Sequence, residues 1–67
     1  MFKDTIKALC KENKISVAKL ERDAGLNQGA VKKWEQYAPN LRSIYNVSKV
    51  LGVSIDSICQ KEWGDEQ

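Results

Sequence analysis

The chain has 67 residues, a formal net charge of +2 and a hydrophobic content of 42%. This length allows one small domain, and this apolar content is typical of a folded domain rather than a disordered chain. No apolar run approaches the roughly 20 residues of a membrane span, and the first residues lack the apolar segment of a signal peptide. We therefore expect a cytoplasmic protein with no membrane partner.

The charge is unevenly distributed along the chain. Residues 1–50 carry ten Lys or Arg and five Asp or Glu, so their net charge is +5. Residues 51–67 carry one Lys and four Asp or Glu, so their net charge is −3. A basic body suits a polyanionic partner, but a mixed solvated surface gives similar counts.

The reactive residue types argue against catalysis and metal binding. The chain has no histidine, and Cys10 and Cys59 have neither zinc-ligand spacing nor a disulfide framework. No phosphate-binding glycine motif occurs. We interpret both cysteines as reduced, buried thiols, and we expect no enzymatic activity, cofactor, metal or small-molecule substrate.

Helical spacing of apolar residues predicts an amphipathic first helix over residues 2–13. Ser16 can cap a second helix over residues 17–24, and Gly25 can end it in a left-handed conformation. The predicted inward side chains are Phe2, Ile6, Leu9, Cys10, Val17, Leu20 and Ala24. Three further lysines, Lys3, Lys7 and Lys11, are assigned to a solvated face of the first helix.

A third helix is predicted over residues 28–36, with Asn27 as its cap. Val31 and Trp34 would anchor it to the core. A loop follows, because the residue before Pro39 is pushed out of helical geometry.

Asn40 can cap a fourth helix over residues 41–51, which Gly52 ends, and Ser54 can cap a fifth helix over residues 55–60. On or near one face of the fourth helix lie Leu41, Ile44, Tyr45, Val47, Ser48 and Leu51. The fifth helix is predicted to bury Ile55, Ile58 and Cys59. No alternating pattern predicts a strand.

The end of the chain is polar. Residues 61–67 contain one apolar side chain, Trp63, and we expect them to fray unless that side chain docks. We therefore place the domain at residues 1–60 and a polar tail at residues 61–67.

The short turn at residues 24–27 predicts that the second and third helices cross steeply. This arrangement is a helix-turn-helix, which places its second helix in the DNA major groove. With Val31 and Trp34 inward, the opposite side of the third helix is free to meet a partner. That side carries Gln28, Gly29, Lys32 and Lys33.

Two runs carry a family resemblance: SVAKLERDAGLNQGAVKKWE at residues 16–35 and APNLRSIYNVSKVLGVSIDSIC at residues 38–59. They resemble the compact five-helix, lambda-repressor-like DNA-binding domains of the XRE family, which includes phage repressors and Cro-type regulators. The resemblance covers about residues 3–60. It implies an all-α domain with no catalytic activity that acts as a transcriptional regulator, usually as a homodimer on a double-stranded DNA operator.

The resemblance also implies which residues contact DNA. The base-contacting positions are Gln28, Gly29, Lys32 and Lys33. The phosphate-contacting positions are Val17, Asn27, Asn40, Arg42 and Ser43. Gln28 can bond adenine N6 and N7, while one of the two lysines can bond guanine and the other a phosphate. Gly29 either lets the backbone approach DNA closely or is a tolerated glycine in a first helical turn.

Two positions depart from the pattern of many family members. Glu21 stands where many carry a small residue, and we expect its carboxylate to reach solvent or a base such as Lys33 or Arg22. Val17 stands where many carry a polar residue, so only its backbone N–H can bond a phosphate.

Two functions remain open at this stage. One is a DNA-binding regulator, expected to be a repressor, whose dimer surface uses the fifth helix and tail, including Ile58, Trp63 and Tyr45. In that reading Trp63 can instead cover the protein's own core. The other is a protein-interaction module of the antitoxin or antirepressor type on the same fold.

Overall fold

Five helices form the part of the chain that the computed structural model describes, residues 1–64. They are α1 (Phe2–Glu12), α2 (Val17–Asp23), α3 (Ala30–Lys33), α4 (Leu41–Leu51) and α5 (Ile55–Trp63). These residues contain no strand, so the prediction of an all-α, five-helix domain is confirmed. The longest helices have 11 residues, and none of the described helices could cross a membrane.

Every helix contributes apolar side chains to one core. Ile6, Leu20, Val47 and Ile58 are completely buried within it. Burial of each such side chain contributes roughly 1.5–3 kcal/mol, which is how a domain of this size remains folded. The other core members are Phe2, Leu9, Cys10, Ala24, Val31, Trp34, Ile44 and Leu51.

Three of the predicted helix caps are made by the side chains expected to make them. The side chain of Ser16 accepts a hydrogen bond from Lys19 N–H at 3.1 Å, and Asn40 Oδ1 accepts one from Ser43 N–H at 2.8 Å. Ser54 caps α5 in the same way. Each cap satisfies a backbone donor that the helix itself leaves without a partner.

Gly25 ends α2 as predicted. Its φ of 73° is left-handed, and its N–H donates to Arg22 O at 3.2 Å. The next N–H, of Leu26, reaches back to Glu21 O at 2.8 Å. This bonding pattern is a Schellman motif, and it reverses the chain at once toward α3.

A left-handed residue also ends α1, but here it is a lysine. Lys14 has a φ of 56°, and the N–H of Ile15 donates to Cys10 O at 3.0 Å. The left-handed region costs a residue with a Cβ about 1–2 kcal/mol. The turn from α1 into α2 therefore carries a local conformational cost at Lys14.

The fifth helix runs further than predicted. It continues to Trp63, whose ring lies edge-on to Phe2 with 5.3 Å between the ring centroids. Thr5 Oγ1 also donates a hydrogen bond of 2.6 Å to Glu62 Oε1. Trp63 therefore docks, which is the condition under which no fraying was expected, and side chains of α1 hold residues 61–63. Residues 65–67 lie outside the described residues.

The predicted face of α4 is buried only in part. Leu41 is 74% exposed and Tyr45 is 46% exposed, and the Lys49 ammonium lies 5.4 Å from the centroid of the Tyr45 ring. Positions 44, 47 and 51 form the centre of the buried stripe, and at about 100° per residue positions 41 and 45 fall at its edge. On α5, Ile55 and Cys59 are half-buried rather than buried.

Candidate nucleic-acid interface

The segment expected to contact DNA begins differently from the prediction. Helical geometry covers only Ala30–Lys33, and turns follow it at residues 34–36. The N-cap is Gly29, with a φ of 86°. The predicted cap at Asn27 is therefore wrong, since its backbone oxygen accepts the Ala30 N–H at 3.0 Å in a turn before the helix.

The interpretation of Gly29 as a tolerated glycine in a first helical turn is also wrong, because Gly29 is the N-cap of α3. Its other interpretation, close approach of the backbone to DNA, stays a prediction. The conformation of Gly29 is one that residues with a Cβ rarely adopt, so glycine is required by the backbone. A Cβ placed there would meet no atom within 4 Å, which means that neighbouring atoms do not impose the requirement.

The capping group of α3 comes from another helix. Glu21 of α2 accepts the Gly29 N–H on Oε1 and the Val31 N–H on Oε2, each at 3.1 Å. Its side chain is 5% exposed. The expectation that this carboxylate reaches solvent, Lys33 or Arg22 is wrong, because two backbone donors inside the domain satisfy it instead.

This cap limits how α3 can bind an anion. The amides of a helix N-terminus are commonly available to phosphate. Here the N–H groups of Gly29 and Val31 are already bonded to Glu21, and that of Ala30 is bonded to Asn27. A phosphate near Asn27 must therefore be held by side chains or by other amides.

The two anchors of α3 lie where they were predicted. Val31 is 1% exposed and Trp34 is 3% exposed, so both are buried in the core. The opposite side forms the recognition surface, a name used here for Gln28, Gly29, Lys32 and Lys33. Three of these residues are exposed and Gly29 is half-buried. Within residues 1–64 neither lysine of this surface forms a salt bridge.

The predicted phosphate-contacting residues fall on two sides of the recognition surface. Asn27, Asn40 and Ser43 line one groove of about 300 Å³ between the turn before α3 and the start of α4. Arg42, in the first turn of α4, is exposed. Val17 lines a separate groove and packs partly against the core.

A family model described as helix-turn-helix matches residues 6–58, which is most of the chain. The chain belongs to the XRE-type helix-turn-helix family. Domains of this family bind DNA in regulatory proteins and are not typically enzymes. No curated protein and no solved structure is significantly similar to the chain.

Two lysines of α1, which the sequence analysis assigned only to a solvated face, lie near the recognition surface. Lys7 lines a groove of about 420 Å³ together with Val17, Gln28 and Lys32. It is exposed and forms no salt bridge in the described part of the chain. Lys3 lines the same groove but lies 3.2 Å from Glu35 Oε1, so its charge is partly compensated. The even i, i+4 spacing of these lysines on α1 was the available signal, but it is equally typical of a solvated face.

Cys10 lies behind this site in the core of the helix-turn-helix domain. Burial raises the pKa of its thiol above the ordinary value, and the negative charge of Glu21 adds to the effect. Both causes disfavour the thiolate, which is the reactive form. The side chain is therefore a neutral core residue at neutral pH, in agreement with its interpretation as a reduced, buried thiol.

Proposed function

We propose that this domain is a sequence-specific transcriptional repressor that binds a double-stranded DNA operator as a homodimer. In this proposal residues 28–33 enter the major groove. The observation that carries the proposal is the division of α3 and the turn before it into two sides. Val31 and Trp34 are buried on one side, and the lysines on the exposed side form no salt bridge within residues 1–64.

Each residue of the recognition surface has a proposed role. Gln28 offers the donor and acceptor pair that matches adenine N6 and N7. Lys32 and Lys33 are adjacent and point about 100° apart, so one can bond guanine O6 or N7 while the other neutralises a phosphate. Gly29 allows the backbone to come near the edges of the bases.

The DNA backbone would be held on both sides of the recognition surface. On the α4 side we propose contacts from Asn27, Asn40, Arg42 and Ser43. The cap made by Asn40 Oδ1 is compatible with this role, because its amide nitrogen remains a possible donor. On the α1 side we propose the backbone of Val17 and, in addition, the ammonium group of Lys7.

A dimer follows from the amount of sequence that one such helix can read. One recognition helix contacts only a few base pairs, whereas a two-fold dimer contacts two half-sites roughly 34 Å apart. The earlier expectation that Ile58 takes part in the dimer surface is wrong, because that side chain is fully buried. Trp63 packs on Phe2 and is half-exposed, so we propose that the dimer surface uses the exposed Leu41 and Tyr45 of α4, with the outer edge of Trp63.

Selection of bound duplexes from a random pool tests the DNA-binding proposal. We expect enrichment of a site made of two related half-sites, and we expect Gln28→Ala to relax the preference at one or two base pairs in each half. A failure to enrich any sequence, together with salt-insensitive binding of a protein partner, would favour the protein-interaction module. The exposed apolar side chains of Leu41 and Tyr45 are the observation in favour of that alternative.

A salt titration tests the phosphate contact of Lys7. The slope of log K against log salt is about −0.9 per phosphate neutralised, so Lys7→Gln should reduce its magnitude by roughly one unit per subunit. Lys11→Gln is the matched control, because Lys11 is exposed on the same helix and lines neither groove. Equal slopes for Lys7→Gln and the unmodified protein would remove Lys7 from the interface while leaving the rest of the proposal intact.

A further inference from the structure

The buried carboxylate of Glu21 is the feature of the domain whose role the DNA contacts do not explain. It is the fifth of the seven residues of α2 and is almost inaccessible to solvent. Its two oxygens are both used, one by the Gly29 N–H and one by the Val31 N–H. Burying a carboxylate costs free energy unless the group is hydrogen-bonded, so the burial of Glu21 requires an explanation.

The two bonded amides lie on either side of Ala30, the first residue of α3. Gln28 directly precedes the first of them and Lys32 directly follows the second. The carboxylate therefore holds the backbone at two points between the side chains that are proposed to contact bases. A helix of four residues has little stability of its own, so its exact placement depends on contacts of this kind.

We propose that Glu21 is a positioning residue for DNA sequence recognition: it sets the base preference of the domain without touching DNA, by fixing Gln28 and Lys32 relative to α2. This inference rests on the proposed function. It assigns to Glu21 a role in discrimination between sequences, beyond a role in folding.

The direction in which Glu21→Gln changes DNA binding separates a positioning role of Glu21 from a purely electrostatic one. Glu21→Gln removes a negative charge close to the recognition surface, and charge alone would strengthen binding to every duplex. It also replaces one of the two acceptor oxygens by an NH2 group, which cannot accept a hydrogen bond from an amide. We therefore expect the ratio of specific to non-specific affinity to fall at least about tenfold, the factor that one charge-assisted hydrogen bond represents.

The measurement is binding of the full chain to the selected duplex and to a scrambled duplex of the same length at one salt concentration. Asp23→Asn is the matched control, because it removes one negative charge from an exposed position at the end of the same helix. We expect this control to keep the ratio unchanged. Circular dichroism establishes that each variant is folded, since partial unfolding lowers both affinities together and leaves the ratio alone.

Glu21→Asp is a second test variant, and it keeps the negative charge. Its shorter side chain cannot reach both amides, so the ratio should again fall if the placement of the backbone matters. An unchanged ratio in either folded variant would overturn the inference and leave Glu21 a residue of the fold only. If both variants fail to fold, amide exchange in the unmodified protein decides: the Gly29 and Val31 amides must stay protected in the DNA complex, and fast exchange at both would overturn the inference.

The experiment gives different results if the role of Glu21 is wrong and if the proposed function is wrong. If the unmodified protein selects no sequence, the proposed function fails first. If it selects a sequence that Glu21→Gln binds with the same preference, only the role of Glu21 is lost.

Discussion

The N-termini of α3 and α4 are capped in different ways. At α4, Asn40 caps its own helix and bonds an N–H three residues further along the chain. At α3, the residue in the cap position is a glycine, and the capping oxygens come from Glu21, eight and ten residues before the amides they bind. The α4 terminus is therefore determined locally, whereas the terminus that faces the proposed DNA site depends on the packing of α2.

This difference has a consequence for how the two helices fail. A local cap can be lost with the rest of the fold in place, and its cost is limited to one hydrogen bond. The α3 segment depends on a buried carboxylate, a left-handed glycine and two buried side chains together. Loss of any one of them should affect the placement of the whole recognition surface.

The largest expected effect is that of Trp34→Ala. The change removes a side chain that is 3% exposed and anchors the end of the α3 segment, so it should lower the free energy of unfolding by about 3–5 kcal/mol. A domain of this length has a total stability of the same order, so much of the variant should be unfolded. Urea denaturation followed by circular dichroism measures the loss. Tyr37→Ala is the control, because Tyr37 is exposed, and a comparable loss there would contradict the assignment of Trp34 as the anchor.

Gly29→Ala should have the next largest effect on stability. The φ of 86° is unfavourable for alanine by about 1–2 kcal/mol, while the added methyl group meets no neighbouring atom. Thermal unfolding measures the loss. Gly29→Asn should cost less, since asparagine enters the left-handed region more readily than alanine. Both variants keep the backbone N–H that Glu21 accepts, so an equal or larger cost for asparagine would contradict left-handed backbone strain as the cause of the loss.

Asn40→Ala tests the other side of the comparison. Loss of a single local cap should lower the free energy of unfolding by about 1 kcal/mol, and it should leave α3 in place. Asn40→Ser keeps an oxygen acceptor and should restore most of the loss. If Asn40→Ala disturbs the amide signals of Gly29 and Val31 in an NMR spectrum, the two termini are coupled and the α4 terminus is not determined locally.

Features fixed by residues close together in the chain could be predicted from the sequence, whereas those that depend on a distant partner could not. Ser16, Asn40 and Ser54 were identified as caps because each bonds an amide three residues away, and the pattern of such a cap is contained in the local sequence. Val31 and Trp34 were identified as anchors because helical spacing places them on one side. These local signals were enough for the all-α architecture and for the buried side of α3.

The start of α3 could not be predicted because two local signals were misleading. Asn27 is a common cap residue two positions before the actual cap, and Gly29 is read as a weak helix former unless its φ is known. The decisive partner, Glu21, lies on another helix, and a single sequence gives no sign that its carboxylate points inward. The position of Lys7 beside the recognition surface could not be predicted for a related reason, since only the packing of α1 beside α2 shows which face of α1 lines the groove with Gln28.

The end of α1 offers the smallest expected effect and the one with the opposite sign. Lys14 occupies the left-handed position that glycine usually fills, with a φ of 56°. Lys14→Gly should relieve a conformational cost of about 1–2 kcal/mol and lose part of that gain to the greater freedom of glycine in the unfolded chain, for a net stabilisation of about 0.5–1 kcal/mol. This corresponds to a rise in Tm of roughly 2–8 °C for a domain of this size.

Lys11→Gly is the control, because Lys11 lies within α1, where glycine should destabilise the helix by about 1 kcal/mol. The same substitution should therefore change stability in opposite directions three residues apart, and a decrease at both positions would mean that the lysine side chain at position 14 stabilises the turn in a way that its backbone geometry does not reveal.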